Sequence, residues 1–97
     1  IYGDGPIGLS LVSLMRLGGA NWLGAVGHWD SRLEKIRVVG GADQILNGKK
    51  EDVGSAFVGR RFDLIIDAVG SSAIIKRSFG MLKTGGKICV FGVLAKD

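Results

Sequence analysis

The chain has 97 residues, a hydrophobic share of 46% and a formal net charge of +4, which suits one domain near the lower size limit for closing a core. No stretch reaches the roughly 18 apolar residues of a membrane span, and no signal peptide is visible. The 13 Lys and Arg are scattered rather than striped. The charge therefore suits an anionic ligand and argues against nucleic-acid binding.

The counts of cysteine and glycine indicate the compartment of the protein and the kind of backbone that it forms. The single cysteine, Cys89, excludes an internal disulfide and favours a reducing compartment, so we expect a cytoplasmic protein. The 17 glycines follow no collagen-like period and exceed the usual share, which indicates many tight turns and close backbone approaches.

The chain opens on Ile1-Tyr2, which we interpret as the end of a strand that enters a glycine turn. The sequence is therefore expected to be a piece of a longer protein. The apolar spacing then predicts a helix from Pro6 to Leu17. The later predicted elements alternate between strand and helix: a strand over 21–27, a helix from Asp30 or Ser31 to Val39, a strand over 44–46, a weak helix over 50–58, a strand over 62–69, a helix from a Ser71-Ser72 cap to about Leu82, a turn over 83–86 and a strand over 87–91.

The predicted strands are apolar throughout rather than alternating, which is typical of strands buried on both faces. Strands of this kind, separated by helices, predict an α/β fold. We expect one domain over residues 1–97, with a parallel sheet of about five strands, helices on both faces and both ends incomplete.

The glycine turn carries the strongest chemical signal. Gly3 permits a sharp turn, Gly5 allows backbone amides to approach a phosphate, and Gly8 allows the helix to pack closely on its strand. The helix that Pro6 and Ile7 begin would offer its N-terminal amides and dipole to an anion. Placed between a strand and a helix, the turn predicts a Rossmann-type pyrophosphate site for NAD or NADP, with a ligand-free tight turn as the alternative.

The end of the second strand bears on the choice between NAD and NADP. An acid that binds the ribose of NAD is expected about 20 residues beyond the turn, but Gly27 stands there and leaves room for an extra phosphate. His28 and Arg32 then become the predicted 2′-phosphate contacts. The alternatives are a solvated loop histidine at position 28 and, at position 32, a surface helix residue or a residue that stacks on the adenine. Asp30 is interpreted as a helix N-cap. These residues favour NADP over NAD.

Four further side chains receive structural interpretations. Asp4 is expected to face solvent, and Asp67 to serve as a local hydrogen-bond partner. Cys89 is predicted to be a core thiol. Trp29 would either cover the adenine or pack on the domain's own loops. No catalytic residue and no metal ligand is predicted in this chain.

Six motifs in this order resemble the cofactor domain of the medium-chain zinc-type alcohol dehydrogenases, closest to the sorbitol and threonine dehydrogenase branch. The resemblance covers nearly the whole chain and rests on Gly3-Asp4-Gly5-Pro6-Ile7-Gly8, Arg32-Leu33, Gly41-Ala42-Asp43, Phe62-Asp63 leading to Asp67-Ala68-Val69-Gly70, Gly85-Gly86-Lys87 and Phe91-Gly92-Val93.

The resemblance implies hydride transfer between an alcohol, aldehyde or ketone and a nicotinamide. It implies that the loops at Ala68-Val69 and Phe91-Gly92-Val93 line the adenosine-side ribose and the nicotinamide, with turns that serve only the fold as the alternative. The zinc and the substrate site would belong to a separate catalytic domain. A homodimer or homotetramer of the parent protein is implied as well.

Three alternatives remain open at this point. A zinc-independent quinone or enoyl reductase of the same superfamily would share the cofactor domain. A methyltransferase that binds S-adenosylmethionine would use a similar sheet, although it usually keeps an acid where Gly27 stands. The third is a non-enzymatic module that senses NAD(P).

Overall fold

The computed structural model describes residues 1–91 and confirms the alternation of strand and helix. The helices are α1 (Pro6–Leu17), α2 (Asp30–Lys35), which continues as a π-helical segment (Ile36–Gly40), α3 (Val53–Ala56) and α4 (Ser72–Phe79). The strands are β1 (Gly24–Gly27), β2 (Gln44–Asn47), β3 (Phe62–Asp67) and β4 (Leu82–Val90). No helix in this part of the chain is long and apolar enough to cross a membrane.

The sheet is parallel and is joined at its centre by the first residues of the chain. β1 pairs with β2, and β3 pairs with β4. Tyr2 forms parallel bridges to Val26 of β1 on one side and to Asp67 of β3 on the other. The order is therefore β2, β1, Tyr2, β3, β4, in which the chain winds outward from the centre in both directions, as in doubly wound α/β folds.

Helices cover both faces of this sheet, as predicted. Successive residues of a strand point to opposite faces, and the neighbours Ala25 and Val26 belong to two different core clusters. Ala25 packs with Val12 of α1 and Ile36 of the π-helical segment. Val26 packs in the cluster that contains Val53 at the start of α3.

The outer part of the sheet is more exposed than the apolar runs suggested. In β3 only the last three residues are buried, because Tyr2 pairs only with the carboxyl half of that strand. β4 is the last strand at its edge of the described sheet, and most of its residues are exposed. The prediction of a core thiol at Cys89 is therefore wrong, since this side chain is exposed.

Several predicted boundaries also shift. The predicted turn over 83–86 lies inside β4 as an irregularity: Phe62 pairs with Leu82, but Leu64 pairs with Lys87. The positive φ of Gly85, 79°, is the glycine-favoured conformation that this interruption requires. The weak helix over 50–58 is reduced to α3, and the strand over 21–27 is reduced to β1.

Arg16, at the end of α1, connects that helix to two loops. Its guanidinium donates to the carbonyl oxygen of Gly41 at 2.8 and 3.1 Å and to that of Ala20 at 2.9 Å. It also forms an ion pair with Asp43, whose carboxylate accepts the amide of Leu23 at 2.8 Å. The Leu23 amide and then the Arg16 guanidinium hold the pKa of Asp43 below its usual value.

We predict that Arg16→Ala lowers the free energy of unfolding by about 1–2 kcal/mol, because it leaves partly buried carbonyl oxygens without donors. Arg37→Ala is the matched control, since among residues 1–91 Arg37 pairs only with Glu34, on an exposed helix surface. Thermal denaturation followed by circular dichroism should show a lower melting temperature for the first variant only. Equal melting temperatures for the two variants would contradict the role given to Arg16.

Candidate dinucleotide-binding site

The predicted site residues within 1–91 lie at or just beyond the carboxyl ends of the central strands. The amide of Gly3 donates to the carbonyl oxygen of Val26, and the amide of Ala68 donates to that of Tyr2, both at 2.8 Å. The glycine turn is therefore held between the ends of β1 and β3. This is the point where the strand order reverses, and crevices at such points are the usual ligand sites of open α/β sheets.

The structure gives a different reason for glycine at each of the three positions of the turn. Gly3 has a φ of +127°, a value that residues with a Cβ rarely adopt. A Cβ on Gly8 would overlap the carbonyl oxygen of Gly3, so only glycine lets α1 begin so close to the turn. A Cβ on Gly5 would meet no atom within 4 Å. The fold itself therefore does not require glycine at position 5, whereas a ligand seated on the turn would.

The start of α1 is suited to an anion. Gly5 is the N-cap and supplies no side-chain acceptor, and the first turn contains no acid. The first internal bond of the helix runs from the amide of Leu9 to the carbonyl oxygen of Gly5 at 3.0 Å. Pro6 has no amide hydrogen, so the amides of Ile7 and Gly8 are those that point out of the helix end. They and the helix dipole favour a phosphate here.

Asp4 does not simply face solvent, as the sequence led us to expect. Its Oδ2 accepts the backbone amides of His28 at 2.9 Å and Trp29 at 2.8 Å. These bonds attach the glycine turn to the loop between β1 and α2. A carboxylate that accepts two amides in this way fixes the relative position of the two loops.

Gly27 is buried beneath the same carboxylate. A Cβ at this position would overlap Cβ of Asp4 and would lie 2.5 Å from its Oδ2. The expectation that Gly27 leaves empty room for a phosphate is therefore corrected, because the side chain of Asp4 fills the space directly above it. No sequence signal indicates this contact, which joins residues far apart in the chain.

Basic side chains surround Trp29 at the outer end of the site. Trp29 is 55% exposed. Lys49 Nζ lies 4.7 Å from its ring centroid and Arg32 Cζ lies 5.8 Å from it, distances typical of cation–π contacts. His28 is exposed beside them. We call His28, Trp29, Arg32 and Lys49 the Trp29 cluster.

Lys49 was missed by sequence reasoning. It follows β2, and the amide of Gly48 donates to the carbonyl oxygen of Gly27 at 2.8 Å. That bond places the end of β2 beside the end of β1. A signal for Lys49 would have required the pairing of β1 with β2 to be assumed first.

Asp30 is not a helix N-cap. The N-cap of α2 is Trp29, without a side-chain hydrogen bond, and Asp30 is the first helical residue. Its carboxylate accepts the side-chain amide of Asn47 at 2.9 Å and forms an ion pair with Lys50. Bonds from Lys50 and then Asn47 lower the pKa of Asp30. Asp30 therefore ties α2 to the end of β2.

The loop after β3 is organised by Asp67. This carboxylate is fully buried and accepts the amides of Val69 at 2.8 Å, Gly70 at 3.0 Å and Ser71 at 3.2 Å. Its predicted role as a local hydrogen-bond partner is confirmed. The Ser71 hydroxyl in turn caps α4 by accepting the amide of Ile74 at 3.5 Å, as the sequence predicted.

The two loops that were predicted to line the ribose and the nicotinamide are only partly described. Ala68 lies against the turn, since a Cβ on Gly3 would come within 3.1 Å of its Cβ. Val69 is 51% exposed. Phe91 follows β4, and its amide donates to the carbonyl oxygen of Asp67 at 2.8 Å. Gly92 and Val93 lie outside the described residues.

A cavity of about 410 Å³ lies at the opposite end of the sheet, lined among others by Trp22, Phe57 and Phe62. It is bordered by the amino ends of β1 and β3, so it does not include the glycine turn. Within residues 1–91, no three His, Cys, Asp or Glu side chains are grouped so that they could hold a metal ion. The candidate site is therefore the crevice at the carboxyl ends.

The strand order and the glycine turn define a Rossmann-type α/β domain. Residues 6–97 match the model of the zinc-binding dehydrogenase family, and the chain belongs to this family. The resemblance that the six motifs indicated is thus confirmed.

Individual relatives agree with this assignment. An alcohol dehydrogenase of Cupriavidus necator is 37% identical over 101 positions, which cover 100% of this chain and 27% of the relative. An L-threonine 3-dehydrogenase of Caldanaerobacter subterraneus is 28% identical, over 96% of this chain and 28% of its own length. The chain thus spans about a quarter of the curated relatives that it matches.

A solved structure from Sinorhizobium meliloti, described as a zinc-binding dehydrogenase bound to NADP, has a similar fold. Its TM-score is 0.87 at 29% sequence identity, and the match covers 96% of this chain and 29% of that chain. The predicted α/β fold and the predicted membership of a dehydrogenase family are both confirmed.

We predict that Gly5→Ala weakens cofactor binding, whereas Gly8→Ala lowers the stability of the fold. Gly5→Ala should leave the melting temperature unchanged but weaken dinucleotide binding at least roughly tenfold, because its methyl group enters open space where the phosphates approach. Gly8→Ala should destabilise the fold by about 2 kcal/mol or more, because its methyl group overlaps backbone. Thermal denaturation and NADPH fluorescence titration of both variants check this. Unchanged cofactor affinity in Gly5→Ala would contradict the site.

We also predict that Gly27→Ala is destabilising by about 1–3 kcal/mol, because its Cβ overlaps the side chain of Asp4. The same substitution on an Asp4→Gly background should cost much less, since the overlapping atoms are gone. A double-mutant cycle measured by thermal denaturation gives the coupling between the two positions. Additive effects of the two substitutions would show that they do not contact each other.

Proposed function

We propose that this chain is the NAD(P)-binding domain of an alcohol dehydrogenase that acts on a small-molecule alcohol, aldehyde or ketone. The observation that carries the proposal is the open space over Gly5, where a Cβ would meet nothing within 4 Å, at the N-terminus of α1. Close packing excludes a side chain at Gly8, but nothing within the described fold excludes one at Gly5. A glycine in that place is suited to the close approach of a pyrophosphate.

In this proposal, three regions of the site bind different parts of the cofactor. The amides of Ile7 and Gly8 would hold the pyrophosphate, and the Trp29 cluster would receive the adenosine end. The loop after β3, held by Asp67, would contact the nicotinamide side together with Phe91, and the sequence adds Gly92 and Val93 there. When bound, the nicotinamide supplies the hydride acceptor or donor of the reaction.

The zinc that the family name implies would be held by residues outside this chain. The described residues contain no suitable group of ligands, and Cys89 and His28 lie on separate elements. In this proposal the domain contributes cofactor binding and orientation. The acid–base and metal chemistry of the alcohol belongs to the rest of the parent protein.

We further propose a preference for NADP over NAD. Arg32 and Lys49 both lie within cation–π distance of the Trp29 ring, so two cations and an exposed aromatic side chain stand together at the end of β1. An arrangement of this kind suits an adenine that carries a 2′-phosphate, because arginine and lysine bind phosphate and an indole stacks on a base. The NADP bound to the relative from Sinorhizobium meliloti supports the same preference.

We predict that the full-length protein binds NADPH more tightly than NADH in fluorescence titrations. Arg32→Ala and Lys49→Ala should each weaken NADPH binding roughly tenfold and change NADH binding little, because each removes a charge-assisted bond to the 2′-phosphate. Lys83→Ala is the matched control, since Lys83 pairs with Asp63 near the amino end of β3. Equal or tighter binding of NADH by the unmodified protein would overturn the preference.

A further inference from the structure

Asp4 places a negative charge at the end of β1, where Gly27 supplies none. The carboxylate reaches this position from the glycine turn and lies directly over Gly27, since a Cβ on that glycine would overlap the Asp4 side chain. Both of its bonds, to the amides of His28 and Trp29, use Oδ2. Its Oδ1 has no hydrogen-bond donor among residues 1–91. The site therefore contains an acid and two cations within the same group of loops.

We propose that Asp4 is a specificity-determining residue that restrains the selectivity of the site for NADP over NAD. This proposal rests on the proposed function, because it assumes that the adenosine end of a dinucleotide lies at the Trp29 cluster. Arg32 and Lys49 attract a 2′-phosphate, and the carboxylate of Asp4 repels it. The cofactor preference of the domain is set by the balance of these opposed charges.

Hydrogen bonding acts in the same direction as charge. The amides of His28 and Trp29, at the end of β1, could donate hydrogen bonds to a 2′-phosphate. Both amides already donate to Asp4. The second oxygen of Asp4 can accept a bond from a ribose hydroxyl, which NAD has at this position. It can accept none from a fully ionised phosphate, which has no donor.

Asp4 also positions the loop, and the two roles can be separated by substitution. Asp4→Asn removes the charge but keeps a side-chain oxygen that can accept the amides of His28 and Trp29. Asp4→Ala removes both the charge and the bonds, so the loop that carries the Trp29 cluster loses its attachment to the glycine turn. A purely structural role would make the first substitution nearly silent toward both cofactors.

The test compares the dissociation constants of NADPH and NADH for the full-length protein and its variants. Asp4→Asn should raise the affinity ratio of NADPH to NADH roughly tenfold, the effect expected when one neighbouring like charge is removed from a partly exposed site. The gain should shrink as salt is added. Asp63→Asn removes an exposed acid near the start of β3 and should leave the ratio unchanged. Asp4→Ala should weaken the binding of both cofactors.

The possible results separate this proposal from the one on which it rests. If the unmodified protein binds neither NADPH nor NADH, the proposed function fails and this proposal fails with it. If the unmodified protein binds a cofactor but Asp4→Asn leaves the affinity ratio unchanged or moves it toward NADH, only the role of Asp4 is overturned. A ratio that rises equally in Asp63→Asn also overturns it, because the effect then comes from net charge alone.

Discussion

The backbone pairing of Tyr2 with both β1 and β3 is the constraint on which the rest of the structure depends. One short segment donates and accepts hydrogen bonds on both sides, so it joins two strand pairs into one sheet. Because the chain turns immediately after it, the glycine turn emerges between the ends of two strands. The amides at the start of α1 therefore face a crevice that the fold creates wherever this strand order occurs.

Close packing around the turn explains why glycine is needed at some positions and not at others, a difference that the sequence pattern does not show. Gly8 makes room for the carbonyl oxygen of Gly3, and Gly27 makes room for the side chain of Asp4. Gly5 makes room for nothing within the described chain, which separates a glycine suited to a ligand from glycines that the fold requires. The contacts of Asp4 also connect the glycine turn, where we propose that the phosphates bind, to the loop after β1, where we propose that the adenosine binds. In this proposal, charge in the turn influences recognition in a different loop.

Patterns among residues that are close in sequence were enough to predict most of the fold and part of the site. The glycine turn, the serine cap at Ser71 and the local role of Asp67 depend on residues that are neighbours in sequence, and each was predicted. The exposure of Cys89, the contact of Asp4 and the approach of Lys49 to Trp29 depend on which strands are adjacent. Sequence periodicity contains no such information, since an apolar strand at the edge of a sheet has the same pattern as one at its centre.

The central claim is that the turn from Gly3 to Gly8 holds the pyrophosphate of a nicotinamide dinucleotide. A crystal structure of the full-length protein with NADP tests this most directly. The pyrophosphate should lie over Gly5 within hydrogen-bond distance of the amides that begin α1, with the adenine against Trp29. A dinucleotide bound with its phosphates away from this turn would contradict the claim.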